Sequence, residues 1–237
     1  MKKRFVAEFR ILLVGVCMTF LSACATTGAI DERDPWEGFN RGVYTFNETM
    51  DTVLFDPIGK VYDFITPDFL DSGITNFFKN IAQVPVIAND ILQFKFDQAV
   101  NDTVRLFLNS TVGLLGFLDV STEAGLPSSK ADFGQTLAYW GVDSGPYLVM
   151  PFFGPGTIRH AAGYAVDSAL NPMFYIDNDL TKAGLLSLAF VDVKSDLLSA
   201  VDLLEEAAVD KYEFTKNAYF EKRASKISGN EFADYPE

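Results

Sequence analysis

The sequence predicts an all-α protein with a single folded domain, which follows a lipoprotein signal peptide. Of the 237 residues, 49% are hydrophobic and 22% are charged, a composition that supports a sizeable core rather than a disordered chain. Apolar residues recur at helical spacing in several segments, whereas no segment shows the alternation typical of a strand. Because neither a tandem repeat nor a low-complexity linker divides the chain, we expect one domain.

The first 23 residues predict export and lipidation. A basic start, Lys2–Arg4, precedes an apolar stretch, Ile11–Phe20, that is too short to span a bilayer. Leu21–Ala23 then places small residues before Cys24, which is the pattern of a bacterial lipobox. We expect cleavage before Cys24, so that residues 1–23 are the signal peptide and the thiol of Cys24 carries diacylglycerol. Ala25 favours the outer membrane, because aspartate there is the usual signal for retention in the inner membrane.

The net charge argues against electrostatic docking. It is −13 for the whole chain, and removal of the basic signal peptide makes the remainder more acidic. Such a body repels nucleic acid and anionic headgroups alike, so nucleic acid is not an expected partner. Membrane contact must therefore be hydrophobic or covalent. Residues 24–33 form a predicted tether that reaches roughly 30 Å when extended, which keeps the body close to the bilayer.

The first predicted helix begins at Asp34 and stops at Asp56-Pro57. Asp34 is the expected N-cap, Pro35 takes the first helical position, and Glu37 completes a capping box. The apolar face of this helix comprises Phe39, Val43, Phe46, Met50 and Leu54. Its opposite face carries a mostly polar stripe, Asn40, Tyr44, Asn47 and Asp51. Such a stripe suits transient hydrogen bonding to polar groups, and an ordinary solvated face is the alternative.

Short apolar helices dominate the middle of the chain. Ile74–Phe96 predicts two helices broken near Pro85, and a clearer helix begins near Asp97. The apolar face of this clearer helix holds Val100, Val104, Phe107, Leu108, Val112 and Leu115, and its polar face holds Asn101, Asp102, Arg105 and Asn109. It runs into 13 uncharged residues, Leu106–Leu118, which are too few for an upright span. The segment can lie in one leaflet as an interfacial helix, or its stripe can face the core of a soluble bundle.

A second uncharged run, Ser144–Ile158, predicts an irregular segment. Its three prolines and three glycines exclude a straight helix. Its aromatic and aliphatic side chains are costly to leave in water, so a membrane-adjacent or pore-lining loop and a surface loop both remain open. Farther on, a long helix is predicted over Val193–Ile227, followed by a mobile tail at residues 228–237.

Residues for catalysis or metal binding are scarce. His160 is the sole histidine, so a His-based metal cluster is impossible, and no serine lies in a nucleophile elbow that it could serve. Cys17 leaves with the signal peptide and Cys24 becomes a thioether, so no thiol ligand remains. We therefore expect a protein that is not an enzyme and that needs no metal and no cofactor.

Three blocks of residues follow one another in a recognisable order. They are Asp34–Arg41 with Tyr44, Phe46 and Asn47; Arg105–Gly113 with Gly116–Val120; and Asp132–Leu137 with Trp140–Val142, Gly145–Tyr147, Pro151, Gly154, Pro155, Thr157 and Arg159. These blocks resemble the MlaA/VacJ family of outer-membrane lipoproteins, and weaker similarity lies around Ala218–Phe220. The sequence departs from the family at His160, where an acidic residue is common. On this resemblance, residues 34–227 are identified as an MlaA-like helical domain.

The resemblance implies a ring-like helical domain with interfacial amphipathic helices. It implies a lipid-anchored position in the inner leaflet of the outer membrane, facing the periplasm, often beside a trimeric porin. A polar channel through the ring extracts mislocalised phospholipids from the outer leaflet and passes them to a periplasmic MlaC-like lipid carrier, which maintains lipid asymmetry. The alternative is a lipid-anchored scaffold of an envelope complex that transports nothing, and a lipoprotein hydrolase has the least support.

The resemblance also gives the polar stripe and the glycine- and proline-rich segment a candidate role. The channel or gate candidates are Asn40, Tyr44, Asn47, Asp51, Gly141, Gly145, Pro146, Gly154 and Gly156. The candidates for contact with acyl chains are Phe107, Leu114, Leu115 and Phe117.

Overall fold

The computed structural model describes residues 31–228, except for the side chains of residues 202, 203 and 205–207. The predicted signal peptide, Cys24 and most of the tether lie outside the described residues, as do residues 229–237 of the predicted tail. By length and hydropathy, no helix within residues 31–228 qualifies as a transmembrane span.

Helices account for most of the described chain, which confirms the all-α prediction. The elements in order are α1 Glu37–Met50, a π-helical segment Asp51–Phe55, α2 Asp56–Ile65, α3 Asp68–Leu92, α4 Phe96–Thr111, α5 Val120–Glu123, α6 Phe133–Tyr139, β1 Tyr147–Met150, β2 Gly154–Thr157, α7 Ile158–Leu170, a 3₁₀ turn Pro172–Tyr175, α8 Asp179–Ala207 and α9 Lys211–Ser228.

The first helix differs from its prediction at both ends. It begins at Glu37 rather than near Asp34, and Glu37 pairs with Arg41 instead of completing a capping box. Asp34 is fully buried and bonds to side chains of α1 and α9. At the other end, Asp56-Pro57 does not stop the helical path, because the π-helical segment leads directly into α2. Pro57 then lies directly after the π-helical turn, within a continuous helical path.

Two further helix boundaries were predicted wrongly. Pro85 does not break α3, which is continuous from Asp68 to Leu92. Pro85 is buried, and the carbonyl oxygen of this residue accepts a 2.9 Å hydrogen bond from Nδ2 of Asn89, so packing and a side-chain bond outweigh the ladder bond that proline removes. The long helix predicted over Val193–Ile227 is instead divided between α8 and α9. The division lies just before Asp210, whose carboxylate accepts from the amide of Glu213 and starts the new helix.

A β-hairpin lies in the segment Ser144–Ile158, which the sequence predicts to be irregular. β1 and β2 are antiparallel, with Tyr147 opposite Thr157 and Val149 opposite Pro155. The amide of Val149 points away from β2, toward α1. Pro155 therefore sits at a non-hydrogen-bonded pair, where its missing N–H costs no ladder bond. Phe152 in the turn between the strands has a φ of 68°, and Gly154 at the start of β2 has a φ of 80°.

The apolar core sits where α1, the hairpin and α9 meet. Its buried members are Val43, Tyr147, Val149 and Tyr212, and Phe39, Tyr44, Tyr219 and Phe220 pack against them. Aromatic rings supply most of this core, with Tyr147 lying 6.1 Å from Tyr212 and 5.6 Å from Phe220 between ring centroids. The strand residues of the hairpin are thereby packed between the first and the last helix.

Candidate functional site

Helix α4 has the reverse of the burial pattern of a soluble bundle. Phe107 on its apolar face is 65% exposed, and Val100, Val104 and Val112 on the same face are also exposed. On the polar face, Asp102 has no exposed surface, and Arg105 and Asn109 are buried. The hypothesis that this apolar stripe faces the core of a soluble bundle is therefore wrong, because the stripe faces outward and the polar face faces the protein.

Hydrogen bonds satisfy much of the polar face that α4 turns inward. Nη2 of Arg105 lies 3.2 Å from Asp119 and 2.9 Å from Oγ1 of Thr122. Nδ2 of Asn109 donates to Oδ1 of Asp119 at 2.9 Å, and Oδ1 of Asn109 accepts from the hydroxyl of Ser121 at 2.9 Å. Burial raises the pKa of Asp119, but the bonds from Thr122 and Asn109 and the charge of Arg105 together lower it below its usual value. This network ties the segment after α4 back onto the helix.

The predicted interfacial helix Leu106–Leu118 ends early, at Thr111, and continues as an apolar turn. Leu114 and Leu115 adopt the left-handed conformation, with φ of 54° and 63°, and each is 67% exposed. The turn is held by the amide of Leu115, which donates to Ser110 O at 3.1 Å, and by the amide of Leu118, which donates to Gly113 O at 2.9 Å. A left-handed backbone at leucine costs roughly 1–2 kcal/mol per residue. The exposed conformation of Leu114 and Leu115 therefore lowers the stability of the folded protein.

Phe117 differs from the other three residues predicted to contact acyl chains. Its ring packs over Gly73, where an added Cβ would lie 2.1 Å from ring atoms of Phe117. The ring centroids of Phe117 and Phe69 are 5.2 Å apart. Phe117 is half-buried and joins the apolar turn to α3. This corrects its predicted exposure, whereas Phe107, Leu114 and Leu115 lie on the outer surface.

The exposed apolar surface extends well beyond α4. Phe64 at the end of α2 is 90% exposed. Its neighbours on the π-helical segment, α2 and the start of α3 are also exposed, namely Val53, Leu54, Ile58, Val61, Ile65, Phe69 and Leu70. Helix α8 repeats the inverted pattern, since Asp192 is buried between the hydroxyls of Tyr62 and Thr75 while Val193 and Leu197 are exposed. Contiguous apolar surface of this kind marks contact with a membrane or another protein.

Asn40, the first residue of the predicted polar stripe, is enclosed in protein. It has no exposed surface, and its Nδ2 donates to Asp34 Oδ1 at 2.8 Å and to the carbonyl of Tyr147 at 3.0 Å. Its Oδ1 accepts from the amide of Val149 at 2.9 Å. Asn40 therefore fastens α1 to the free edge of β1 and does not lie on an open polar face, which corrects the prediction for this residue.

The other residues of the stripe are half-buried and also face neighbouring elements. Asn47 brackets the hairpin turn, with Nδ2 donating to Met150 O at 3.0 Å and Oδ1 accepting from the amide of Phe152 at 2.8 Å. The ring of Tyr44 lies edge-on to Tyr212 at 5.8 Å. Asp51 forms an ion pair with Lys194 of α8. The structure thus brings this stripe together with the hairpin, α8 and α9.

The glycines and proline predicted as gate candidates frame the same hairpin. Gly141 and Gly145, with φ of 84° and 66°, lie on the segment that enters it, followed by Pro146. Gly154, with φ of 80°, begins β2, and Gly156 is buried against Met150 and His160. Left-handed φ values at Gly141, Gly145 and Gly154 are conformations in which glycine is unstrained, so the hairpin is flanked by residues whose backbone can turn sharply.

Sequence reasoning missed a buried polar cluster around Asp34. Lys216 of α9 has almost no exposed surface and lies 3.5 Å from Asp34 and 2.9 Å from Glu213. The hydroxyl of Tyr212 donates to Asp34. The pKa of Tyr212 is raised mainly by burial and, to a smaller extent, by this bond. Tyr212 and Lys216 are one helical turn apart, a spacing that places them on one face, but only the fold shows that Asp34 lies between them.

His160, for which no catalytic partner was predicted, stacks on Tyr219 with ring centroids 5.8 Å apart. Burial, and after it the nearby charge of Arg223, lowers the pKa of His160. Arg223 itself reaches both carboxylate oxygens of Asp132 at the start of α6. Asp132 also accepts from the amide of Gln135 at 2.9 Å, so one carboxylate caps α6 and anchors α9.

Comparisons with known proteins agree with this architecture. A sequence model of the family described as MlaA lipoprotein matches residues 32–226. The intermembrane phospholipid transport system lipoprotein MlaA of Escherichia coli (strain K12) is 29% identical over 230 residues, which cover 94% of this chain and 91% of that protein. An uncharacterized protein of Rickettsia felis is 30% identical over 211 residues, which cover 89% of this chain and 82% of that protein.

A solved structure is similar over nearly all of its length. It belongs to work on the structural basis for maintenance of bacterial outer membrane lipid asymmetry. It has a TM-score of 0.72 and 28% sequence identity, and the match covers 82% of this chain and 98% of that one. Because the family match spans most of the sequence and the same fold is found in the solved relative, the chain belongs to the MlaA lipoprotein family.

Proposed function

We propose that this protein is an outer-membrane lipoprotein of intermembrane phospholipid transport. In this proposal it takes mislocalised phospholipids from the outer leaflet and passes them through a polar channel to a soluble MlaC-like carrier, which maintains lipid asymmetry. Family membership supports the transport function, since the Escherichia coli relative carries that name. The observation that best supports contact with the membrane is that α4 exposes its apolar face and buries its polar face.

The outward apolar faces suit the acyl layer of the inner leaflet. An interfacial helix buries its apolar face about 5–10 Å below the headgroups, which matches the outward stripe of α4 and its apolar turn. The diacylated Cys24 adds a covalent anchor, and the short tether keeps the body at the same leaflet. Ionisable groups such as Arg105 and Asp102 remain on the inner side of α4, away from the hydrocarbon.

The hairpin and its flanking glycines are the proposed gate of the channel. Tyr44, Asn47 and Asp51 are half-buried beside the hairpin, so they can form a polar wall where its turn moves. The hairpin is held on one edge by α1, while Gly141 and Gly154 have open space around their Cα atoms. A trimeric porin beside the protein is also part of this proposal and is supported by the family resemblance.

Reconstitution tests the proposal directly. Vesicles that contain the lipidated protein and a labelled phospholipid are mixed with a soluble carrier, and transfer of label to the carrier is measured. We expect transfer that depends on this protein, and cells that lack it should accumulate phospholipid in the outer leaflet. Normal transfer and normal outer-leaflet composition without the protein would favour the scaffold alternative.

Spin labels separate a membrane face from a protein interface. Labels at Phe107 and Leu114 should be accessible to lipid-soluble oxygen and protected from a polar relaxation agent, because both side chains face outward. A label at Asn217, an exposed polar position on α9, serves as the control and should respond to the polar agent. Labels at Phe107 and Leu114 that neither agent reaches would mean that another protein covers this face.

A further inference from the structure

Asp90 of α3 and Asp102 of α4 form a buried pair of carboxyl groups. Neither residue has exposed surface, and the two carboxyls are within hydrogen-bonding reach of each other. Residues 126–131, which we call the strap, run over the pair between α5 and α6. Ser129 of the strap bonds to both groups: its hydroxyl donates to Asp90 Oδ1 at 2.9 Å and its amide donates to Asp102 Oδ1 at 3.3 Å.

One oxygen of each carboxyl, Oδ2, lacks a hydrogen-bond donor among the described residues. Oδ2 of Asp90 and Oδ2 of Asp102 are both buried, and no donor group of the described residues reaches either atom. Two ionised carboxylates would offer only acceptors to each other and would repel, in a place from which water is excluded. One proton held by the pair supplies a donor and removes the second charge.

The charged groups around the pair do not replace this proton. Lys95, on the turn between α3 and α4, acts on Asp90 from a half-exposed position. Arg105 of α4 acts on Asp102, but Nη1 and Nη2 of its guanidinium bond to the strap carbonyl of Leu126 and to Asp119, and its buried Nε bonds to neither carboxyl. From α7, Asp167 binds Asn89 rather than the pair, and Lys130 of the strap is exposed.

We propose that Asp90 and Asp102 bind one shared proton and that this proton latches the strap onto α3 and α4. Loss of the proton leaves two buried charges under Ser129, and opening of the strap lets water reach both. The strap is also held by Arg105 and Asn101, which donate to the carbonyls of Leu126 and Pro127. Its release therefore frees part of the inner, polar face of α4.

The pH dependence of the latch follows from the two protonation states. Burial, followed by the contact with Asp90, raises the pKa of Asp102 to about 7, and burial also raises the pKa of Asp90. In the open state the carboxyls recover ordinary pKa values near 3.9. Between about pH 4 and pH 7 the latched state holds a proton that the open state has lost. In this range each unit of rising pH lowers the ratio of latched to open strap by as much as tenfold, and above about pH 7 the ratio levels off. The latch does not depend on the proposed transport function.

Hydrogen–deuterium exchange at the amide of Ser129 measures the latch. The mature protein in detergent is followed from about pH 5 to about pH 8, with correction for the intrinsic rate of exchange. We expect protection of this amide to fall with rising pH and to level off near neutrality. Asp102→Asn keeps a donor facing Asp90 without a titratable proton, so its Ser129 amide should stay protected at every pH. Asp97→Asn, at an exposed position on the same helix, should behave as the wild type.

Infrared spectroscopy gives a second readout that does not require the strap to open. The carbonyl stretch of a protonated carboxyl should be present at acidic pH, disappear as the pH rises through about 7, and be missing in Asp102→Asn. Two results would overturn the proposal: protection at Ser129 that is independent of pH in the wild type, or a pH-dependent fall that persists in Asp102→Asn. Loss of the proton without any change at Ser129 would also overturn the latch.

Discussion

Asn40 and Val149 are joined by a 2.9 Å hydrogen bond in which the side-chain oxygen of Asn40 accepts the amide proton of Val149. The same side chain donates to the carbonyl of Tyr147, two residues earlier on β1. Together with the carbonyl of Arg33, which accepts from the amide of Tyr147 at 2.7 Å, this helix side chain takes the place of a third strand at the outer edge of β1. Asn40 and Val149 are both buried, so water cannot satisfy these backbone groups if the amide is lost.

Replacement of Asn40 by leucine should destabilise the whole domain. The change leaves the amide of Val149, the carbonyl of Tyr147 and one oxygen of Asp34 without a partner, and an orphaned buried group costs about 1–3 kcal/mol. We expect a loss of roughly 3–5 kcal/mol in urea unfolding. Asn217→Leu, at an exposed position on α9, is the matched control and should change stability by less than about 0.5 kcal/mol. Equal unfolding midpoints for the two variants would show that the clamp contributes nothing.

Asn47→Leu should loosen only the hairpin turn and should not destabilise the whole domain. Asn47 is half-buried and binds Met150 and Phe152 on the two sides of the hairpin turn. Loss of these bonds should cost about 1 kcal/mol and should speed hydrogen exchange at the amide of Phe152. Amides in the middle of α3 should exchange as in the wild type. If the Phe152 amide keeps its protection, the turn is held by other contacts.

Helical faces could be predicted from the sequence, but their partners could not. The spacing of Asn40 and Asn47 correctly placed them on one face of α1. The strand that covers this face lies more than 100 residues away in the chain, and periodicity carries no information about it. For α4, the pattern separated the apolar from the polar residues. Which side faces the protein depends on whether the surrounding solvent is water or lipid, so burial alone identified the outward side.

The hairpin was missed because its signals are short and contradictory. Tyr147 and Val149 alternate with less buried neighbours over four residues only, and the prolines on both sides argue against a strand. Pro155 is tolerated because its pairing position requires no amide donor. Similarly, Pro85 predicts a helix break from local rules, whereas burial and a bond from Asn89 keep α3 continuous. In each case the tertiary environment outweighs the local preference.

A glycine contact between α6 and α7 should tolerate no side chain. An added Cβ on Gly163 would lie 2.4 Å from the amide nitrogen of Gly134, a backbone atom that cannot move aside. Gly163→Ala should therefore destabilise the protein by about 1–3 kcal/mol, as overpacking does elsewhere. Gly184→Ala on α8 meets nothing within 4 Å and should stabilise by up to about 1 kcal/mol, because alanine favours the helix. Thermal melts should show a lower melting temperature for Gly163→Ala and a higher one for Gly184→Ala. An unchanged melting temperature for Gly163→Ala would contradict the close approach of α6 and α7.

The ion pair between Asp132 and Arg223 should make the stability sensitive to acid. Burial raises the pKa of Asp132, but Arg223 and the bonds from Gln135 lower it below its ordinary value of about 3.9. A lowered pKa means that the contribution is complete above this ordinary value and disappears as the pH falls through the lowered one. Urea midpoints measured at decreasing pH should follow this loss.

Arg223→Gln should remove much of that acid sensitivity and lower stability at neutral pH. Because the side chain of Asp132 remains 25% exposed, we expect a loss of about 1–3 kcal/mol rather than the full cost of a buried charge. Arg33→Gln breaks an exposed pair with Asp31 and should cost less than about 1 kcal/mol. A variant Arg223→Gln with the acid profile of the wild type would mean that other carboxylates control acid unfolding.

Leu114→Asn should stabilise the fold while weakening its contact with a membrane. Leu114 holds a left-handed backbone that asparagine adopts more readily, so the folded state should gain up to about 1 kcal/mol. Its side chain is exposed, so no core contact is lost, but a polar amide in the acyl layer is unfavourable. The melting temperature in detergent should therefore rise, while flotation with vesicles should fall when it is measured on Cys24→Ala protein produced without residues 1–23. Leu118→Asn is the matched control, because Leu118 is exposed on the same turn but has no positive φ. This variant should reduce flotation without a gain in stability. Undiminished flotation of both variants would remove this turn from the membrane contact and leave the outer faces of α2 and α4 to provide it.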